Sequence, residues 1–401
     1  MLRKVKKYLF LFFLFISTVI VAQVSSVAFN PSDQIKVAAE RTELYLSLIK
    51  DKSVAVVANQ TSLIKSTHLV DSLISLGIDV KKIFSPEHGF RGIADAGEKV
   101  LNNVDPKTGL PVISLYGKKS KPLPADLKNV DVVIYDIQDV GVRFYTYIST
   151  LHYVMEACAE NNKKLIILDR PNPNGHYVDG PVLEEKFKSF VGLHPVPIVY
   201  GMTVAEYAKM INEEGWLKDK LKCELVYILV DSYNHKSAYE LPVKPSPNLP
   251  NMCSVYLYPS LALFEGTSIS VGRGTETPFQ VIGQPNLKNA TYTFTPRSKV
   301  GASDPMYKDQ LCSGYNLTDF GNVYMKNNNG IYLFWLQGTY KDSPDKAHYF
   351  NNYFNNLAGN STLQQQIIDG VSEDIIRKSW EADLNKFRTI RKKYLLYKDF
   401  Y

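Results

Sequence analysis

Short apolar, β-rich runs at residues 54–58, 80–84, 130–137 and 165–168 constrain this chain more than any other feature. Each is too short to be a globular helix, and none shows the in–out alternation of a strand with one wet face. Strands this apolar must be buried on both faces, which is the habit of a parallel sheet covered by helices. Further strands are expected at 110–116, 196–200 and 225–230, with helices at 66–76, 147–161 and 205–214 between them. That alternation gives an α/β fold with a mostly parallel sheet covered on both faces.

Composition shifts near Pro242, where Pro242, Pro245, Pro247 and Pro250 make a rigid loop. A helix is expected at 256–264. Two closing helices are expected at 344–357, capped by Ser343, and at 372–387. The chain divides on this reading into a sheet domain at 23–285 and a second, smaller α/β domain at 286–401.

Residues 1–22 read as a secretory signal peptide. Arg3, Lys4, Lys6 and Lys7 precede an apolar run that is shorter than a membrane span and ends at Ala22. The protein is therefore expected to be exported, to the periplasm of a two-membrane bacterium or outside a one-membrane cell, with no stable membrane span after cleavage. Removing those four cations takes the net charge from +6 to about +2. Such a balance offers no electrostatic case for nucleic acid. The four cysteines, Cys158, Cys223, Cys253 and Cys312, form no CxxC pair and no Cys/His cluster, so no metal is expected.

Known cofactor and nucleophile motifs are missing. The first strand runs into Asn59-Gln60-Thr61-Ser62 rather than a G-x-G-x-x-G turn, and no Walker loop or G-x-S-x-G elbow occurs. No cofactor is expected. Polar clusters instead follow the apolar runs, where an open α/β sheet meets its ligands. Ser85-Pro86-Glu87-His88-Gly89-Phe90-Arg91-Gly92 follows one strand, Tyr135-Asp136-Ile137-Gln138-Asp139-Val140-Gly141-Val142-Arg143 closes another, and Asp169-Arg170-Pro171-Asn172 closes a third. Glu265-Gly266-Thr267 and Gly272-Arg273-Gly274-Thr275-Glu276 come after the proline loop.

Acids, amides and arginines gathered in this way suit a hydroxylated substrate. Most glycosidases need two carboxyl groups, one donating a proton to the leaving oxygen and one serving as base or nucleophile. Glu87 is the leading acid, with His88 beside it to orient it or share its proton. Asp136, Asp139 and Glu265 are candidates for the second group, and Glu276 is a further one that also suits substrate binding. Asn59, Gln138, Asp169, Arg170 and Asn172 are candidate substrate contacts. Arg91, Arg143 and Arg273 are further candidate substrate contacts. Asp169 beside Arg170 also reads as an internal ion pair.

These motifs, in this order, closely resemble the exo-β-N-acetylmuramidase family of secreted bacterial peptidoglycan glycosidases. Val57-Ala58-Asn59-Gln60-Thr61-Ser62, Thr108-Gly109-Leu110-Pro111-Val112, Val271-Gly272-Arg273-Gly274-Thr275-Glu276-Thr277-Pro278-Phe279 and Lys393-Tyr394-Leu395-Leu396-Tyr397 fit as well, so the likeness spans nearly the whole mature chain. The resemblance implies a Rossmann-like domain, a smaller auxiliary domain and a cleft between them. It implies removal of terminal N-acetylmuramic acid from the non-reducing end of peptidoglycan fragments, with the Glu-His-Gly glutamate, here Glu87, as catalytic residue. Two other readings stay open on sequence: a non-catalytic wall-carbohydrate binder, and a peptidoglycan esterase or amidase.

Overall fold

Alternate residues of the apolar runs enter two different cores. Ala55 and Val57 of β1 (Ser53–Ala58) join one buried cluster, while Val54, Val56 and Ala58 join another. Val133 and Tyr135 of β5 (Val132–Asp136) likewise face one side, and Val132 and Ile134 the other. β6 (Lys164–Leu168) repeats the split. Both faces are therefore apolar, as the runs require. The computed structural model describes residues 34–90, 102–117 and 119–401. The expected signal peptide and Arg91 lie outside the described residues.

The other strands of this sheet are β2 (Asp79–Ser85), β3 (Asn103–Val104), β4 (Pro111–Ser114) and β7 (Leu225–Ile228). Their spatial order is β3-β4-β2-β1-β5-β6-β7, and only the β3–β4 pair is antiparallel. The chain lays strands to one side of β1, then returns to place β5, β6 and β7 on the other. That reversal makes a topological switch point at the carboxyl ends of β1 and β5, where ligand crevices form. The helix α1 (Leu69–Ser75) covers one face, with Leu69, Val70 and Leu73 inward. The helices α2 (Tyr147–Glu160) and α3 (Val204–Glu213) cover the other.

A smaller region follows. The helix α4 (Met252–Leu261) leads into a 3-10 turn at Ala262–Gly266, and then into an antiparallel sheet of β8 (Val281–Gln284), β9 (Tyr292–Phe294) and β10 (Cys312–Asn316). The short helix α5 (Phe354–Ala358) and the long amphipathic α6 (Glu373–Lys392) come last. One apolar cluster contains residues from Ala55 to Tyr394, so the two regions share a core. All four cysteines are buried and free.

Three expected elements differ. The helix expected from residue 66 starts at Leu69, because a short hairpin of Leu63–Ile64 and Thr67–His68 comes first and the His68 ring caps Val70 N. The strand expected at 196–200 makes only isolated bridges, Val142 and Asp179 both meeting Val199. The helix expected at 344–357 is replaced by one at Phe334–Asp342, and Ser343 sits at its carboxyl end instead of capping the next. Pro344 explains the stop: it disfavours a helical conformation in the residue before it.

Arg143 ties the smaller region to the sheet. Its side chain is fully buried, and it donates to Pro181 O and Val196 O at 2.9 and 2.8 Å and to Leu357 O and Ala358 O at 2.8 Å each. Replacing it by Met leaves those carbonyls in the interior without a donor. The Arg143→Met protein should lose about 3 kcal/mol or more of unfolding free energy in urea, each abandoned acceptor costing about 1–3 kcal/mol. A loss well under 1 kcal/mol would show that the clamp is dispensable.

Candidate active site

Glu87 leaves the carboxyl end of β2 in a tight turn. His88 and Gly89 both take positive φ, 68° and 77°, and Gly89 N bonds back to Pro86 O at 3.1 Å. A histidine in that conformation is uncommon, and such strain concentrates at functional turns. The turn carries the Glu87 carboxylate to the start of α2, where Thr146 Oγ1 donates to Glu87 Oε2 at 2.8 Å. The amino end of a helix is also a favourable place for a negative charge.

Glu87 and His88 line a cavity of about 340 Å³ with Glu265, Arg273, Thr146 and several aromatic residues. Part of its lining, Glu265, Arg273, Phe279 and Tyr353, comes from the smaller region. Glu265 stands on the 3-10 turn, and Glu265 Oε1 accepts from Arg273 Nε at 2.9 Å and from its terminal nitrogen at 2.7 Å. Arg273 in turn lies over the Phe279 ring, 5.1 Å from its centroid. Tyr258 packs edge-on against Phe279, Phe144 and Tyr145, which makes an aromatic floor.

The charges are felt by their neighbours. Burial opposes the Arg273 cation, but Glu265, Tyr258 and Glu87 outweigh it and raise the pKa above the ordinary value. Burial, then the charge and hydrogen bond of Glu87, push the Tyr116 phenol up. Burial, then Glu265 and Glu87, push Tyr353 to about 12 against the pull of Arg273. Glu87 thus acts on both phenols and Glu265 on Tyr353, and these phenols stay protonated hydrogen-bond donors at neutral pH.

Of the residues singled out on sequence, Glu87, His88, Glu265 and Arg273 meet at this cavity. Arg91 lies outside the described residues, and the remaining ones do not line the cavity. Asp136 is fully buried in a bidentate pair with Arg170, at 2.6 and 2.9 Å, which neutralises both. Asp139 accepts from Gly141 N at 2.6 Å and from Tyr200 OH. Asp169, rather than pairing with Arg170, holds Ala205 N at the start of α3 and Tyr397 OH, at 3.0 and 2.6 Å. Gln138 spans Asp139 O and Pro171 O, Asn172 donates to Met202 O, and the Asn59 carbonyl accepts from Thr61. These groups secure the strand-end loops to one another. Glu276 is exposed and pairs with Lys299. Arg143 is taken up by the four carbonyls already described.

Thr146, Tyr116, Tyr258 and Tyr353 line the cavity without having been singled out. Thr146 falls just past the second cluster, and its hydroxyl matters only because α2 begins there. Nothing local marks Tyr353, which arrives from more than two hundred residues away. Among the described residues no group of three or more His, Cys, Asp or Glu side chains is placed to hold a metal ion, and no helix is long and apolar enough to cross a membrane.

Two family models match consecutive stretches of the chain, described as exo-beta-N-acetylmuramidase NamZ, N-terminal, over residues 54–253, and C-terminal, over residues 256–397. The peptidoglycan beta-N-acetylmuramidase NamZ of Bacillus subtilis (strain 168) is 38% identical over 373 residues, covering 88% of this chain and 89% of the relative. Two crystal structures of DUF1343 family proteins from Bacteroides fragilis NCTC 9343 are similar throughout. One has a TM-score of 0.85 and 45% identity, covering 91% of this chain and 99% of the other. The second has a TM-score of 0.77 and 30% identity, covering 92% and 100%. The two models meet between residues 253 and 256, at the start of α4.

The interior acids give the fold a pH signature. Burial raises Asp139 from 3.8 to about 6, with Tyr200 and the Gly141 and Val140 amides opposing it. Asp169 is raised to about 6 as well, by burial and against Tyr397 and Thr203. A carboxyl whose folded pKa exceeds its unfolded one contributes stability at acid pH that is lost as pH rises through the folded value. Stability contributed by this pair should fall between about pH 4 and 6. Asp139→Asn should remove part of that slope, read as Tm against pH by calorimetry. An unaltered slope in a folded variant would contradict this assignment.

Proposed function

The chain belongs to the exo-β-N-acetylmuramidase NamZ family, and on that premise we propose that it is an exo-acting glycosidase. In this reading it releases terminal N-acetylmuramic acid from the non-reducing end of peptidoglycan fragments. The observation that carries the mechanism is that two carboxylates, Glu87 from the sheet and Glu265 from the smaller region, line one cavity.

Thr146 offers Glu87 a hydroxyl, which can donate to a carboxylate and turn to accept from a carboxylic acid. Arg273 pairs its cation with Glu265 through two donors on Oε1. Glu87, the glutamate of the Glu-His-Gly turn, serves as general acid, giving its proton to the leaving glycosidic oxygen. Glu265 serves as the ionised partner, activating water or attacking the anomeric carbon. The aromatic floor packs against the apolar face of the sugar and keeps water from the developing charge. Arg273 is the candidate among the described arginines to meet the lactyl carboxylate, since Arg143 is buried elsewhere. His88 helps to orient Glu87.

Export is a further part of the proposal. The basic start and apolar run of residues 1–22 support a cleaved signal peptide, with the mature enzyme acting on wall fragments outside the cytoplasm or in the periplasm. Mass spectrometry of the secreted or periplasmic protein should give a mature chain beginning just after Ala22. An intact amino terminus on fractionated protein would refute cleavage.

The catalytic reading is tested with purified mature protein on a chromogenic N-acetylmuramide beside the matching glucosaminide. Turnover should favour the muramide. Glu87→Gln and Glu265→Gln should each lower kcat by roughly 10²–10⁴-fold with the fold intact. Thr146→Val should lower it by roughly tenfold, the worth of one hydrogen bond to a charged group. Near-normal kcat in Glu87→Gln would remove it from the chemistry. Proton NMR of the first sugar released would distinguish a retained anomer from an inverted one.

A further inference from the structure

A second and larger cavity, of about 670 Å³, opens beside the other face of α4. Tyr256 lines this one and Tyr258 the cavity that holds Glu87. Two residues turn an α-helix by about 200°, so the helix stands between the two spaces. The larger one is bounded by the segment after β6, by residues 236–238, by the loop at 327–329 and by the chain end following α6.

Its lining has a definite chemistry. Tyr256 and Phe400 offer aromatic surface, and Asn327 and Asn329 offer amides. Lys236 and Arg388 bring positive charge, and among the described residues no Asp or Glu lines the cavity. Arg388 spends two donors on neutral groups, Asn385 Oδ1 at 2.9 Å and Val178 O at 3.4 Å. Two cations lining one cavity are matched by a ligand carboxylate. Aromatic rings and amides next to it match the apolar face and the acetamido group of an amino sugar.

We propose that this cavity is a second saccharide-binding site, taking a carboxylate-bearing amino sugar within a glycan strand. It anchors the polymer while the carboxylate cavity works at a chain end. The identity of the strand rests on the glycosidase reading, but the chemistry of the site does not. Two sources supply carboxylates to such a strand, the lactyl group of the sugar and the attached peptide, and either would meet the two cations.

The test is co-sedimentation of the full mature protein with insoluble peptidoglycan, and affinity electrophoresis with glycan strands freed of peptide by an amidase. The variant carrying Lys236→Ala and Arg388→Ala should bind about tenfold more weakly to at least one of them, for the loss of charge-assisted contacts. Turnover of the small chromogenic muramide should be unchanged. Tyr256→Ala should weaken binding in the same direction without altering charge. Weakening confined to stripped strands assigns the lactyl carboxylate, and weakening confined to intact material assigns the peptide. As a control, Lys392→Ala with Lys393→Ala removes two exposed cations of the carboxyl-terminal stretch and should leave binding intact. Equal binding by wild type and the Lys236/Arg388 variant overturns the proposal, as does equal loss in the control. Wild type that binds through these residues but turns over no muramide leaves the site standing and removes the glycosidase reading instead.

Discussion

Arg143 reaches two stretches of backbone that are more than 150 residues apart in sequence, Pro181 and Val196 on one side and Leu357 and Ala358 on the other. Burial lowers its pKa to about 9, still above neutral, and four carbonyl acceptors compensate the charge. The contact is close. Gly359 has φ 81°, and a Cβ there would stand 2.5 Å from the guanidinium. Glycine is thus required twice over, for the left-handed turn and for the approach. Through this clamp the strand-end loops of the sheet and the helix α5 become one body. Tyr353 precedes α5 directly, and the Gly266 backbone after Glu265 lies against Phe354. The wall bearing Glu265 is therefore set relative to the wall bearing Glu87 by a group that touches neither.

The same economy holds below the cavity. Asp136, Arg170, Asp139, Asp169, Gln138 and Asn172 are polar residues at the carboxyl ends of parallel strands, and the structure uses them on each other and on backbone. Loops there carry many amides and carbonyls that no strand ladder satisfies. An interior network fixes their shape, and the turn after β2 then projects Glu87 against Thr146. The strain at His88 persists because the surrounding sheet and loops over-determine the turn.

This division explains what the sequence disclosed and what it hid. The runs at 54–58, 80–84, 130–137 and 165–168 became β1, β2, β5 and β6 because an apolar segment of that length has few other fates. Glu87 stood out as an acid among histidine, glycine and proline after a strand, a setting that suits a polar turn as well as a site, and the fold brings it to the cavity. Arg143 was misleading: its neighbours in sequence show an arginine at a strand end, and only the arrival of Leu357 and Ala358 shows that it is spent. The 344–357 segment misled for a local reason, since Ser343-Pro344 begins a helix as readily as it ends one. Tyr353 and Thr146 carried no signal because their roles depend on contacts made across the whole chain.

The two cavity carboxylates are distinguished by what surrounds them more than by what they are. In a glycosidase cycle one group must exist both protonated and ionised, and its partners must tolerate both. A hydroxyl partner does, because its hydrogen can turn away and its oxygen then accept. Thr146 can therefore keep its hydrogen bond to Glu87 in either state, while Arg273 holds Glu265 as a fixed cation through two donors on Oε1. On the proposed roles, the acid's hydroxyl partner is positioned by the start of α2 and the second carboxylate's guanidinium partner by the turns after α4.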